Sequence, residues 1–176
     1  MAKVGIFFGS DTGNTRKVAK AIHKALGDVA DKPVNINKAS VDDLLAYDVL
    51  ILGSPTYADG ELPGLTAGNQ NESWEEFLPT LVGADFSGKT VALFGLGDQV
   101  GYGANFVDAI GFIYDAFCDV GATIIGQTAN EGYDFERSKA LFDDQFVGLV
   151  LDEDNQKDLT EGRLEAWLAS ISSAWA

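Results

Sequence analysis

The segment Gly9–Thr15, with the sequence GSDTGNT, joins an apolar run to a helical pattern and consists mainly of glycines, hydroxyls and one amide. Backbone N–H groups and hydroxyls at a helix N-terminus bind phosphate, helped by the positive end of the helix dipole. A nucleoside-triphosphate loop needs four residues between its glycines and a lysine after the second, whereas here there are three and Asn14 stands in the lysine position. The segment therefore predicts a phosphate site that is not suited to ATP or GTP. A capped turn without a ligand is the alternative.

A second segment, SPTYADGELPG over residues 54–64, is a long turn that follows another apolar run and carries Tyr57 near its middle. A tyrosine on a surface loop can stack on a flat aromatic heterocycle. The alternative is a tyrosine that packs across its own loop. Either way, the segment places an aromatic ring on a Pro- and Gly-rich connection.

The third segment, GLGDQVGYG over residues 95–103, partly matches a dinucleotide-binding motif. Its later glycines are separated by three residues instead of two, and it follows a late strand instead of the first. A ring-binding loop explains the residues better, because glycines let the backbone approach a ligand, Asp98 and Gln99 can meet its polar edges, and Tyr102 supplies an aromatic ring. Tyrosines from the second and third segments could enclose one planar ring system.

The chain has one histidine, His23, and one cysteine, Cys118, which limits other chemistry. Zinc and iron–sulfur sites need more nitrogen or sulfur ligands, so no metal site is expected. Nothing near His23 suggests a Ser–His–Asp triad, and we expect a surface histidine there and a packing role for Cys118. Any redox chemistry must therefore come from an organic cofactor.

The charge balance limits the partners. The 176 residues include 27 acidic and 12 basic side chains, for a formal net charge of −15. Such a surface repels nucleic acids and anionic membranes and attracts basic protein partners, so neither nucleic acid nor membrane is expected to bind. No leader pattern follows Met1 and no apolar run approaches the roughly 20 residues that cross a bilayer. We expect a cytoplasmic monomer.

Strand-like and helix-like patterns alternate along the chain. Apolar runs at Val4–Phe8, Val49–Leu52 and Val91–Phe94 are short and rich in β-branched residues, as in strands that are buried on both faces, and Val34–Ile36 is a weaker strand. Helical patterns lie between and after them. On the first, the apolar side chains share one face, namely Val18, Ile22, Ala25 and Leu26.

Further helices are predicted from about Ser73, Asn105 and Asp158. Asp158 and Glu161 fit an acidic variant of the capping box, and the last helix carries an apolar stripe of Leu164, Leu168, Ile171 and Trp175. Residues 1–176 are therefore expected to form a single α/β domain, a doubly wound five-stranded parallel sheet with helices on both faces. Ligands of such sheets bind beyond the carboxyl ends of the strands, where the three segments begin.

The region Ala122–Leu151 does not follow the simple alternation. Strand-like residues at Thr123–Ile125 and Val147–Leu151 are separated by a polar segment that contains aromatic residues. We interpret this segment as an insertion within the fifth strand.

Taken together, the three segments resemble the FMN-contacting loops of long-chain flavodoxins, in the same order along the chain. The resemblance covers essentially the whole sequence, including the insertion and residues 152–156, and is strongest to flavodoxins of nitrogen-fixing bacteria. It implies strand order 2-1-3-4-5 and non-covalently bound FMN. The implied cofactor-binding residues are Ser10, Asp11, Thr12, Gly13, Asn14, Thr15, Pro55, Thr56, Tyr57, Ala58, Asp59, Gly60, Gly95, Leu96, Gly97, Asp98, Gln99 and Tyr102.

By the same match, Tyr102 stacks on the outer face of the flavin and Tyr57 covers the inner face, where the family often has tryptophan. The resemblance implies a low-potential electron carrier, not an enzyme, that cycles mainly between semiquinone and hydroquinone. Basic patches on a donor reductase and on an acceptor such as nitrogenase reductase are the implied partners. Ala58 resists the peptide flip that glycine allows, so we expect a less stabilised semiquinone. The acidic Asp59, Glu61 and Asp98 are expected to lower the second potential.

Two other classes of protein share part of this sequence pattern. A phosphorylation-dependent receiver domain shares the order of elements, but it needs an aspartate at the end of the third strand, where Gly53 and Ser54 stand. An FMN-dependent NAD(P)H-quinone reductase is the main alternative, and consumption of NAD(P)H without a separate reductase distinguishes it.

Overall fold

The structure is a computed structural model that describes residues 4–9, 13–57 and 59–176. Its centre is a parallel sheet formed by β1 (Val4–Phe8), β2 (Val34–Asn35), β3 (Val49–Pro55), β4 (Thr90–Leu96) and β5 (Thr123–Ile125), with β9 (Leu149–Leu151) also paired to β4. The strand order is β2-β1-β3-β4-β5, as the sequence resemblance implied. All five pairings are parallel, so the carboxyl ends of the strands lie at one edge.

Helices cover both faces of the sheet. One face packs α1 (Asn14–Leu26) and α5 (Thr160–Ile171) around Ile6 and Phe8. The other face packs α2 (Val41–Leu45), α3 (Trp74–Phe77) and α4 (Asp108–Asp119) around Phe7. Adjacent β1 side chains enter opposite clusters because strand side chains alternate, which confirms the doubly wound α/β prediction.

The fifth strand is split, as predicted. β5 pairs with residues 90–92 of β4, and β9 pairs with residues 94–96 of the same strand. The intervening chain forms a small antiparallel sheet from β6 (Thr128–Ala129), β7 (Leu141–Phe142) and β8 (Gln145–Phe146), in the order β6-β8-β7. Phe106 of the main domain contacts the insertion through three aromatic rings, those of Tyr133, Phe135 and Phe146.

Several boundaries differ from the sequence expectations. β2 ends at Asn35 because Ile36 begins a 3-10 turn that buries its side chain. The helix expected from Ser73 is only four residues long and continues as a 3-10 turn, while α4 begins at Asp108 after an irregular segment. β9 begins at Leu149, two residues later than expected.

Two helix details are also corrected. Ala25 is exposed, so it does not share the buried face of α1 with Val18 and Ile22. The predicted capping box at Asp158 is wrong, because a 3-10 turn over Lys157–Leu159 leads directly into α5 without a side-chain cap. All four side chains of the predicted apolar stripe are buried, but only three lie on α5, because Trp175 belongs to the 3-10 turn that follows the helix.

The exposure of the single histidine and of the single cysteine differs from the sequence expectations. His23 is half-buried instead of lying at the surface, and Cys118 is exposed. Within the described ranges, no helix combines the length and apolar composition that crossing a membrane requires.

Candidate functional site

A cavity of about 340 Å³ lies at the carboxyl edge of the sheet, where connections from four strands meet. It gathers residues that follow β1, β3 and β4, as the sequence predicted, and residues that follow β9. Its lining is formed by Asn14, Thr15, Pro55, Thr56, Tyr57, Leu96, Gly97, Asp98, Tyr102, Glu153 and Asp154. The site therefore combines a helix N-terminus, two tyrosines and several carboxylates.

The helix N-terminus at this cavity begins with Gly13, whose φ of 98° is in the left-handed region. Glycine adopts this conformation without steric cost, so it can precede Asn14 at the start of α1. The Lys17 N–H donates to the Gly13 carbonyl at 3.1 Å, and the Thr15 side chain is buried. Ser10, Asp11 and Thr12 lie outside the described residues.

The connections after β1 and β3 share one anchoring point, the carbonyl of Gly53. It accepts the Gly9 N–H at 3.0 Å and the indole Nε1–H of Trp74 at 2.9 Å. Trp74 is fully buried and packs edge-on against Phe77 and Phe117. A rigid part of the core therefore fixes the bases of both connections.

The connection after β3 folds back on itself at Tyr57. The Tyr57 N–H donates to the Glu61 carbonyl at 3.0 Å, and the Glu61 N–H donates to the Tyr57 carbonyl at 2.7 Å. Gly60 has a φ of 93°, and a Cβ there would lie 2.6 Å from Asp108 Oδ2. The turn therefore requires glycine for both its conformation and its close contact with α4. Ala58 lies outside the described residues.

Thr56 and Asp108 attach this connection to the start of α4. Thr56 Oγ1 accepts the Ala109 N–H at 3.0 Å, which satisfies one of the free amides of the helix N-terminus. Asp108 is buried, and its Oδ1 accepts the Lys139 N–H at 2.7 Å. Burial raises the pKa of Asp108, although the Lys139 N–H and the nearby cationic side chains oppose this shift.

The connection after β4 is held in place by Asp98. Its Oδ1 accepts the N–H groups of Val100 at 3.0 Å and Gly101 at 2.8 Å, and Asn155 Nδ2 donates to the same atom at 2.8 Å. The Gly101 N–H in particular lowers the pKa of Asp98. Tyr102 follows this turn with 53% of its surface exposed, so its ring is accessible to a ligand.

Gln99 connects this loop to two distant segments. Its Nε2 donates to Asp152 Oδ2 at 2.7 Å, and its Oε1 accepts the Asp134 N–H at 2.7 Å. The Gln99 backbone N–H also donates to Asp152 Oδ2, at 3.1 Å. Both atoms of the side-chain amide thus have protein partners, so the geometry favours loop support over ligand contact for this side chain.

Acidic residues concentrate beside the cavity. Glu153 and Asp154 line it together with Asp98, and the fully buried Asp152 lies next to them in the chain. Partial burial, together with repulsion from these carboxylates, raises the pKa of Asp154 above its ordinary value. The site therefore disfavours additional negative charge.

The predicted site residues divide into groups. Of the described ones, nine line this cavity, whereas Asp59 and Gln99 line a neighbouring cavity of about 840 Å³ that also contains Tyr102. Gly95 lies within β4, where a Cβ would meet Ile110, and neither Gly13 nor Gly60 is part of the lining. Glu153 and Asp154 were not among the predicted site residues, although they directly follow the end of β9 and the carboxyl-end rule applies to them.

The fold and the site together define a class of protein. A doubly wound parallel sheet that presents a helix N-terminus and aromatic loops at its carboxyl edge belongs to the nucleotide-binding α/β domains. The chain matches the Flavodoxin family over residues 6–167.

Individual relatives agree with this match. A flavodoxin of Klebsiella pneumoniae is 60% identical over 171 residues, which cover 97% of each chain. A second Klebsiella pneumoniae flavodoxin is 51% identical over 174 residues, covering 98% of this chain and 94% of that one. The crystal structure of Fusobacterium nucleatum flavodoxin bound to flavin mononucleotide is similar with a TM-score of 0.88 and 33% identity, covering 98% of both chains. The protein belongs to the flavodoxin family, which confirms the resemblance found in the sequence.

Proposed function

We propose that the protein is a cytoplasmic, FMN-dependent one-electron carrier of low potential that delivers electrons to nitrogenase reductase. The observation that carries the proposal is the convergence of the α1 N-terminus, Tyr57 and Tyr102 on one cavity that is bordered by carboxylates. Named flavodoxins are electron-transfer proteins, not enzymes, and members of the family bind FMN. FMN supplies the capacity to take up and release electrons one at a time.

The residues at the cavity fit this cofactor. Asn14 and Thr15 offer an amide, a hydroxyl and backbone N–H groups at a helix N-terminus, where a phosphate group binds well. Tyr57 and Tyr102 supply aromatic surface on two different loops. The main chain of the connection after β4, at Leu96 and Gly97, provides further lining. The donor set thus matches a phosphorylated, planar ring system.

The carboxylates explain a low potential. Asp98, Glu153 and Asp154 surround a site that must gain negative charge during reduction. Each 1 kcal/mol of repulsion lowers a one-electron potential by roughly 40 mV. Burial raises the pKa of Asp154, and repulsion of its ionised form by the neighbouring carboxylates adds to this shift. The protein therefore resists the second electron more than the first, and it works mainly between its two more reduced states.

Surface charge supports a basic partner. Asp59, Asp134 and Glu136 are exposed and line the larger cavity next to Tyr102. Together with a net charge of −15, they attract basic surfaces on a donor reductase and on an acceptor. Nitrogenase reductase is our first candidate acceptor, on the resemblance of the sequence to flavodoxins of nitrogen-fixing bacteria.

Two experiments test the proposal. Anaerobic stepwise reduction with dithionite should show flavin absorption bands that change in two one-electron steps, with the second at the lower potential. The fully reduced protein should then reduce purified nitrogenase reductase. The proposed acceptor is wrong if this transfer does not exceed transfer from the 51% identical Klebsiella pneumoniae flavodoxin. Rapid NAD(P)H oxidation with a quinone, in the absence of any reductase, would instead identify a quinone reductase.

A further inference from the structure

A basic cavity lies apart from the proposed FMN site. It has a volume of about 280 Å³ and is lined by Phe8, Arg16, Lys20, His23, Lys32 and Pro33. No residue of this lining contributes to the 340 Å³ cavity. Among the described residues no carboxylate lines it, although the full sequence carries 27 acidic residues against 12 basic ones. Such a concentration of cations on an acidic protein calls for an explanation.

The spacing of residues on α1 builds one wall of this cavity. Arg16, Lys20 and His23 follow one another at intervals of four and three residues, so they lie on one face of the helix. Lys32 reaches the cavity from the connection that leads to β2. The guanidinium carbon of Arg16 lies 5.2 Å from the centre of the Phe8 ring, which orients the guanidinium at the cavity wall.

The cations of the cavity repel one another without compensation. Among the described residues, Arg16, Lys20 and Lys32 form no ion pair, and α1 contains no acidic residue at all. Like charges four residues apart on a helix, as in Arg16 and Lys20, destabilise it. A bound anion would remove this repulsion.

His23 contributes an incompletely satisfied polar group. Its Nδ1 is shielded from solvent and has no hydrogen-bond partner among the described residues. Buried polar atoms without partners are uncommon in folded proteins and often mark a place where a ligand or an ordered water binds. The imidazole therefore adds to the cations of this cavity a side chain that carries one polar atom without a partner among the described residues.

We propose that this cavity binds the phosphate group of a small phosphorylated anion. Arginine and lysine side chains together offer many N–H donors that converge from two elements, a match for the several acceptor oxygens of a phosphate dianion. The limited volume admits a phosphate with a small organic group at most. Because the two cavities share no lining residue, such an anion binds while FMN occupies its own site.

The single histidine of the chain provides the measurement. Inorganic phosphate is titrated into the FMN-loaded protein at constant pH and ionic strength, and the imidazole Hε1 resonance is followed by NMR. We expect a saturable change in its chemical shift, with an unchanged ³¹P resonance of bound FMN. A parallel titration with methyl phosphate distinguishes the source: tighter binding of methyl phosphate identifies a phosphate monoester, and equal or weaker binding identifies free phosphate. Absence of a saturable shift with both probes overturns the proposal.

Matched variants separate the cavity from general surface charge. Lys20→Gln and Lys32→Gln should each weaken phosphate binding by roughly two- to fivefold, the range for exposed charge pairs. Lys24→Gln removes the same charge from an exposed position on α1 that does not line the cavity, and it should leave binding unchanged. Lys20→Arg should retain binding. Equal weakening by Lys24→Gln and Lys20→Gln would show nonspecific attraction and reject the site.

Discussion

Gln99 shows how a single side chain can position a cofactor loop. Its amide joins the connection after β4 to Asp152, 53 residues away, and to the backbone of Asp134 in the insertion. The sequence suggested that Gln99 meets a ligand, because a polar residue beside glycines in a loop is typical of a binding site. Its true partners could not be predicted from the sequence, since they depend on which distant carboxylate the fold brings close.

Substitution of Gln99 tests this positioning role. Gln99→Leu removes the Nε2 donor from the buried Asp152 carboxylate, which keeps the Gln99 backbone N–H and Asn155 Nδ2 as donors, and a hydrogen bond to a charged group contributes about 1.5–3 kcal/mol. We expect the free energy of unfolding of the apoprotein, measured in urea, to fall by this amount. We also expect weaker FMN binding and a changed potential for uptake of the second electron. Gln127→Leu, at an exposed glutamine of the insertion, is the control. Unchanged affinity and potential in Gln99→Leu would show that the bond is dispensable for the site.

Asp108 should make the stability of the folded protein depend on pH. Its pKa is raised in the folded protein, so the folded state holds the proton more tightly than the unfolded chain does. The stability contributed by this residue is therefore present at low pH and is lost as pH rises above the unfolded value of about 3.9. Asp108→Asn keeps an oxygen acceptor for the Lys139 N–H and should raise the unfolding temperature at pH 7. The gain should shrink towards pH 4, and a pH-independent difference would contradict the assignment.

At the scale of elements, the sheet and its order followed from the sequence because buried parallel strands are short, continuous apolar runs. The insertion was also predictable, since its polar composition interrupts the fifth strand. The end of β9 at Leu151 was predicted as well, so the carboxylates that follow it could have been assigned to the site by the carboxyl-end rule. The start of α5 was misjudged because local capping patterns compete with 3-10 turns.

The split strand has a defined register, which a deletion can test. Residues 123–125 pair with 90–92 and residues 149–151 pair with 94–96, so only Leu93 remains between the two pairings. Gly148 already packs against the Leu93 carbonyl, since a Cβ atom added to Gly148 would lie only 2.1 Å from the Leu93 carbonyl oxygen. Removing residues 126–147 therefore joins Ile125 to Gly148 and produces a continuous seven-residue strand in register with β4.

We expect this deletion variant to fold with the native sheet but with reduced stability, because Phe106 loses its aromatic partners in the insertion. Removing residues 126–146 instead leaves one extra residue and shifts the register, which reverses the faces of the side chains. This second variant should be markedly less stable. Circular dichroism during heating compares them, and equal unfolding temperatures would show that register does not control the outcome.

At the scale of the whole molecule, charge is unevenly distributed. Carboxylates surround the tyrosine-bearing edge, whereas α1 carries four cations and no acidic residue. For the attraction of a basic partner, the position of a charge should therefore matter more than its contribution to the net charge of −15. A basic partner is steered to the acidic edge and oriented there.

Matched neutralisations test this orientation. Glu136→Gln removes a carboxylate beside Tyr102, and Asp119→Asn removes one from the far end of α4. We expect Glu136→Gln to slow electron transfer to a basic cytochrome c by roughly two- to threefold at low ionic strength, and Asp119→Asn to have little effect. The difference should disappear in high salt. Similar slowing in both variants would assign the effect to net charge alone.

The carbonyl of Gly53 accepts hydrogen bonds from both Gly9 and Trp74, so hydrogen exchange at Trp74 can report how often this region opens. The indole proton of the fully buried Trp74 reaches solvent only when this shared bond breaks and the overlying connections separate. Its rate of exchange with deuterium, read from a single NMR resonance, therefore measures how often the two connections open together. Slower exchange after cofactor loading would show that the ligand closes them, and an unchanged rate would show that they are already closed in its absence.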